Sequence, residues 1–344
     1  MGLRKLFSGG VDDFHIANLN VENGGYAPGD EIVGEVVLLS RKEIKCREVI
    51  VTLKAAILTE FEFYTRDEYR VFHSEYGNDY HRTICASKQD ICNDIVILMG
   101  EGVIQPGRNV FDFAFRLPAN APPSFSGRFG EISYILNAKI DRPMAVDNEV
   151  SVLLKVKGYC DLNKFNYLRL PMSRFGTMKM GGTCCPKGRV SVTATIPKTG
   201  FARGEKISLE VNIENFGKKP LTRLLIKVVE NATFVGTRYA YYDVISCDRH
   251  RINDQEAVVK AYQNIHVPIN SRKKVTARFT LPSISPIIKT PLISTSHCLH
   301  IVTLRQGDND GPVVVIMPIT IGTKKLQEKE EDSSESSESE ESEN

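Results

Sequence analysis

Few residues in this 344-residue chain are spaced for chemistry. Eight cysteines stand at positions 46, 85, 92, 160, 184, 185, 247 and 298, with no Cys-x-x-Cys among them. Without a secretory leader such thiols read as reduced, small hydrophobes. Adjacent Cys184 and Cys185 invite a redox or lipidation reading, but two thiols in a flexible segment is the simpler one. In "HCLH", His297 and His300 resemble a metal-binding pair, yet an odd spacing of three on a strand turns them to opposite faces. "DIVILMGEG" runs an apolar strand into Gly100-x-Gly102, as a dinucleotide site does. The third glycine is replaced by Gln105 and Pro106 follows, so a turn between strands is expected. No phosphate-cradling P-loop and no nucleophile elbow occur. The chain therefore reads as a non-enzyme, with no catalytic residues, metal or cofactor.

The elements that carry these residues are almost all strands. "VFDFAFRL" places Phe111, Phe113, Phe115 and Leu117 on one face, and "ISYILNAKI" does so for Ile132, Tyr134, Leu136, Ala138 and Ile140. Residues 190–196, 207–213 and 274–281 alternate as strictly, which predicts half-buried antiparallel strands and an all-β class. Moreover, the chain repeats itself. "YAPGDEIVGEV" at 26–36 returns as "FARGEKISLEV" at 201–211, and "FDFAFRLP" is echoed by "VTARFTLP", each ending in a proline before a Pro/Ser-rich turn. Two copies of one β-sandwich explain this order and spacing. The expected division is a first sandwich over 10–157, a hinge linker over 158–188 containing a short extended piece, a second sandwich over 189–323, and a disordered tail over 324–344. Adhesion-type immunoglobulin domains normally bury a tryptophan, and this chain has none.

The charge is split. Residues 328–344 hold nine acidic residues and one lysine, whereas the other 327 residues hold 43 Lys+Arg against 33 Asp+Glu. A body of net +10 favours acidic partners such as phosphorylated tails or anionic headgroups. The candidate contacts are Arg4 and Lys5 near the first strand, and Arg41, Lys42, Lys45 and Arg47 around an early hairpin. Ser333, Ser334, Ser336, Ser337, Ser339 and Ser342 are interleaved with acids, the pattern that acidophilic kinases prefer. Each phosphate adds about −1.5 to −2 of charge. Nothing resembles a nucleic-acid reader, since no groove-sized helix or basic-aromatic interleaving appears. With no apolar run long enough to span a bilayer and no apolar leader, a cytoplasmic protein is expected.

The blocks "YAPGDEIVGEVVL", "RLPANAPPSFSGRFGEISYILNAKIDRP", "GRVSVTATIPKTGFARGEKISLEVNIEN", "FTLPSISPIIKT" and "VVVIMPITIGT" resemble the arrestin family, and within it the α-arrestins, in the right order over roughly residues 10–323. The resemblance implies two hinged, immunoglobulin-like β-sandwiches. It also implies an adaptor that binds cytoplasmic tails of receptors or transporters and links them to endocytic, endosomal or ubiquitin-ligase machinery, at the plasma membrane or endosomes. Many α-arrestins carry PPxY motifs for ligase WW domains; this chain has none, its only Pro-Pro being Pro122-Pro123 in "PPSF". The other arrestin-fold roles are a retromer-like coat subunit and a thiol-dependent regulator resembling the thioredoxin-interacting protein. No cysteine here lies in a segment close enough to inherit that thiol role.

Overall fold

The two copies of the repeated motif make the same turn with a shared set of hydrogen bonds. The computed structural model describes residues 11–22, 24–66, 80–179, 188–238, 249–305 and 313–327. In the first copy the Asp30 carboxylate accepts from Ala27 N at 2.7 Å, and in the second Glu205 accepts from Ala202 N at 2.8 Å. Asp30 N donates to Ala27 O, and Glu205 N to Ala202 O, both at 3.1 Å. Leu117 N reaches Asp30 O and Leu281 N reaches Glu205 O, both at 2.9 Å, which ties each turn to the strand end before Pro118 or Pro282. Gly29 and Gly204 sit at φ +86° and +72°, where a side chain would clash with its own backbone. The aromatic that opens each motif, Tyr26 or Phe201, is buried.

Each turn launches a strand that crosses its sandwich. In the first half, β1 (Val11–Ala17), β2 (Glu31–Ser40) and β7 (Gly107–Arg116) form a three-stranded sheet. Short strands β3 (Ile44–Cys46) and β6 (Gly102–Ile104) pair beside it. Facing them are β10 (Asn148–Leu154), β9 (Gly130–Asp141), β4 (Glu48–Arg66) and β5 (Tyr80–Met99), in that order, with β8 (Phe125–Gly127) paired to β9. Ile132, Tyr134, Leu136, Ala138 and Ile140 of β9 all lie at 2 % exposure or less, so the period of two read from the sequence is the inward face.

The second half repeats the plan. β11 (Met172–Lys179), β12 (Arg189–Ile196), β14 (Lys206–Phe216) and β17 (Ser271–Thr280) form one sheet. The other holds β15 (Leu221–Arg238), β16 (Arg249–Val267), β18 (Ile293–Arg305), β19 (Val313–Gly322) and β13 (Gly200–Ala202). Between β10 and β11 the chain makes two short 3-10 turns, Leu162–Lys164 and Asn166–Arg169.

The halves are joined by more than the linker. Thr237 and Arg238 of β15 pair with Ala86 and Cys85 of β5, which makes one ten-stranded sheet across both sandwiches. The first-half core takes in Ala232, Phe234, Ile288 and Ile293 from the second half. Phe234 meets Phe129 edge-on at 5.8 Å and Phe125 at 6.2 Å. Thr59 Oγ1 donates to Val235 O at 2.7 Å. At the far end, Leu326 packs with Leu162 and Leu168, and Gln327 N donates to Asn163 Oδ1 at 2.9 Å, so the strand leaving β19 is stitched to the linker turns.

Candidate binding surface

The turn between β2 and β3 is held by β2's pairing with β7, which sets Leu39 opposite Arg108 and Ser40 opposite Gly107. Two of the four described candidate cations are already engaged there. Arg41 Nε lies 3.0 Å from Asp12 Oδ2 and Arg47 Nη1 lies 3.3 Å from Asp141 Oδ1, both arginines being largely exposed. Such surface pairs are each worth only about 0–1 kcal/mol and exchange readily with an incoming anion. Lys42 and Lys45 are exposed and stand in no ion pair among the described residues. Arg108, which sequence reasoning passed over, flanks the same turn and is likewise exposed and unpaired among the described residues. Its signal was cross-strand register, invisible until β2 and β7 are paired. Nearby, Lys139 Nζ binds Asp147 at 2.8 Å. Its hydrogen bond and charge hold the Asp147 carboxyl below the usual range. Arg4, Lys5 and the six tail serines lie outside the described residues.

The residues that looked capable of chemistry are placed otherwise. His297 is buried, with Nε2 3.1 Å from Glu230 Oε2, while its strand neighbour His300 faces the other side of β18. Burial, then Lys227, pushes the His300 imidazole below its usual value. Among the described residues no cluster of His, Cys, Asp or Glu is arranged for a metal. Gly100 and Gly102 turn the chain from β5 into β6. Cys46, Cys85, Cys92, Cys160 and Cys298 are free thiols, each pushed above its ordinary value chiefly by burial. A raised value lowers the thiolate fraction at neutral pH, the opposite of an activated thiol. Cys184, Cys185 and Cys247 lie outside the described residues. No helix among the described residues is long and apolar enough to cross a membrane.

A cleft of about 690 Å³ opens between the halves. Its walls are Pro122 and Pro123 of the first half and Ile287–Pro291 of the second, and its floor includes Ile57 and Ile288. Lys289 on its rim is an exposed cation with no ion pair among the described residues.

Comparison with known proteins agrees with this architecture in both halves. The family model "Arrestin (or S-antigen), N-terminal domain" matches residues 16–163, and the corresponding C-terminal domain model matches residues 186–326. Arrestin domain-containing protein 17 of Caenorhabditis elegans is 25% identical over 318 residues, which is 91% of this chain and 71% of that protein. Arrestin domain-containing protein 1 of Rattus norvegicus is 29% identical over 150 residues, 43% of this chain. Human arrestin domain-containing protein 4 is 35% identical over 119 residues, 34% of this chain. These last two matches span 35% and 28% of the relatives' own lengths.

Proposed function

The chain belongs to the arrestin family, and on that premise we propose that it is a non-enzymatic cytoplasmic adaptor for membrane-protein trafficking. It binds cytoplasmic regions of receptors or transporters and links them to endocytic, endosomal-sorting or ubiquitination machinery, recruited to the plasma membrane or endosomes. The observation that carries this reading is the group of exposed cations, Lys42, Lys45 and Arg108, at one end of the first sandwich, which stand in no ion pair among the described residues although Glu43 shares their turn. Such a patch draws acidic or phosphorylated segments, and anionic headgroups by the same Coulomb term. The acidic tail competes for the same cations. The 17 residues after Gln327 extend to about 60 Å, enough to reach either sandwich, and phosphorylation of its serines strengthens that competition.

The test is proximity labelling in living cells with three chains: the wild type, K42E/K45E, and a chain ending at residue 327. The wild type is expected to label receptors or transporters together with endosomal proteins and a ubiquitin ligase. Charge reversal should deplete the membrane proteins, and removal of the tail should enrich them. A single stable scaffold labelled equally by all three chains would replace this reading with that of a coat subunit.

A further inference from the structure

One edge of β5 has no partner along most of its length. β4 pairs with β5 from Val49↔Met99 to Arg66↔Tyr80, which satisfies one side of the strand. On the other side β15 supplies only the two rungs at Cys85 and Ala86, and Thr237 N adds a bond to Ser87 Oγ at 3.1 Å. Beyond Ser87, among the described residues, no backbone hydrogen bond reaches this edge. Alternate N–H and C=O groups from Lys88 to Met99 are therefore left open, in the geometry that templates another strand.

Lys88, Asp90, Asp94 and a bulge guard the cleft end of this edge, whereas towards Met99 its side chains are apolar. Ile95 and Ile97 project from the outer face at 58% and 63% exposure, while Val96 and Leu98 on the inner face are only half-buried. Ile135 and Leu153, paired across β9 and β10, are exposed on the same outer face at 38% and 72%, with Thr52 and Lys54 of β4 standing between them and Ile95. The register shift between Ala55 and Ala56 leaves Ile91 as an extra residue, a bulge that turns Gln89–Ile91 into the cleft between the halves.

The charges along the site are asymmetric. Lys88 and Asp90 neutralise each other at 2.9 Å. Asp94 is exposed, and neither it nor Lys289 across the cleft is in an ion pair among the described residues. A ligand strand thus meets a cation at the cleft end and an anion further along. A second copy of the same edge could meet only part of this site. Pairing centred on the exposed isoleucines would leave the cleft and Lys289 outside the contact.

We propose that the edge of β5 from Gln89 to Ile97, with the cleft at its end, is a strand-addition site for an extended segment of another protein. The segment carries aliphatic residues at alternate positions over Ile95 and Ile97, a carboxylate for Lys289 and a basic or neutral residue opposite Asp94. Main-chain hydrogen bonds supply the affinity, and the alternate side chains supply the selectivity. The site continues the pairing that β15 begins at Ala86. It is independent of the basic patch invoked above, because it is read out by different substitutions.

The full chain is panned against a phage-displayed library of random twelve-residue peptides, and recovered peptides are synthesised and titrated by fluorescence anisotropy. The expected peptides alternate aliphatic residues, protect residues 89–97 from hydrogen exchange, and lose at least tenfold in affinity against I95K/I97K. Both positions are more than half exposed, so that variant should melt with the wild type. K289E should weaken the peptides that end in an acid and spare the others. The proposal is overturned if no peptide is recovered, if binding is indifferent to I95K/I97K, or if protection falls on another strand. It is equally overturned if light scattering shows a wild-type dimer that I95K/I97K dissolves.

Discussion

At the scale of single residues, the buried polar groups of the first sandwich tie stability to pH. Tyr134 has no exposed surface, and its hydroxyl donates to Pro122 O at 2.6 Å. Burial, with a smaller contribution from Cys92, pushes the phenol well above its ordinary value. In the unfolded chain the phenol releases its proton near pH 10, as a free tyrosine does, whereas in the fold it stays protonated to higher pH. The stabilisation is complete below about pH 10 and is lost as pH rises beyond it. The raised thiols of Cys46, Cys85, Cys92, Cys160 and Cys298 act in the same direction from about pH 8.5 upward, where unfolded thiols begin to ionise. Denaturation melts between pH 7 and 11 should show a progressive fall in stability, and Tyr134→Phe should flatten the segment above pH 10. That variant also leaves the Pro122 carbonyl without its donor, which costs about 1 kcal/mol at pH 7. An unchanged alkaline slope in Tyr134→Phe would remove this residue from the account.

At the scale of elements, the repeated turn was the most legible feature of the chain. Its aromatic, glycine and acid each have a local job: burial of Tyr26 or Phe201, a left-handed φ at Gly29 or Gly204, and a carboxylate on the amide of Ala27 or Ala202. Local jobs leave local signatures. Gly204 has nothing within 4 Å of a Cβ built on it, so Gly204→Ala isolates the backbone penalty from packing. The expected loss is about 1–2 kcal/mol, and Gly29→Ala, whose Cβ would lie 3.8 Å from Ala119 Cα, should lose a similar amount. Urea titrations of the two variants should agree within error, and neutrality in either would mean that its turn does not need the left-handed conformation. β11 is the opposite case. It pairs with β12 over eight rungs, yet most of its described side chains are exposed, as Phe175 and Met178 show at 64% and 44%. An edge strand whose inward face is only Met172 and Gly176, with Arg174 and Met178 exposed beside them, carries no apolar period of two, so "MSRFGTMK" suggested only a short extended piece. The edge of β5 was hidden for a related reason: "DIVILM" reads as a buried strand, and only the pairing of its neighbours shows that one side is open.

At the scale of the whole molecule, the contact between halves could not be read from the chain, because it is made by residues that look like ordinary core. Ile288 and Phe234 sit among other apolar residues in sequence, and nothing marks them as belonging to the core of a sandwich whose own strands end near residue 154. Their effect is to make the first core incomplete without the second half. Ile288 is 1% exposed, and its loop is fixed by Ile288 N donating to Thr295 Oγ1 at 2.8 Å and Thr295 N donating to Ile288 O at 3.0 Å. Pro286 of the same loop presses on Gly158, where even a methyl group would lie 2.3 Å from its ring. Such a shared core couples unfolding of the halves, so calorimetry of the wild type should show one transition. Ile288→Asp places an unpaired carboxylate in that core, a penalty of about 3–5 kcal/mol that falls on the first sandwich and the contact between halves. The second sandwich keeps its own core, built from residues such as Val192, Leu209, Ile226 and Ile301. The variant should therefore unfold in two steps, the first at lower temperature, with the second near the wild-type midpoint. Two transitions in the wild type would show that the shared core does not bind the halves into one cooperative unit. A single transition in Ile288→Asp, merely shifted downward, would place the coupling in the β5–β15 rungs and the Phe129–Phe234 contact instead.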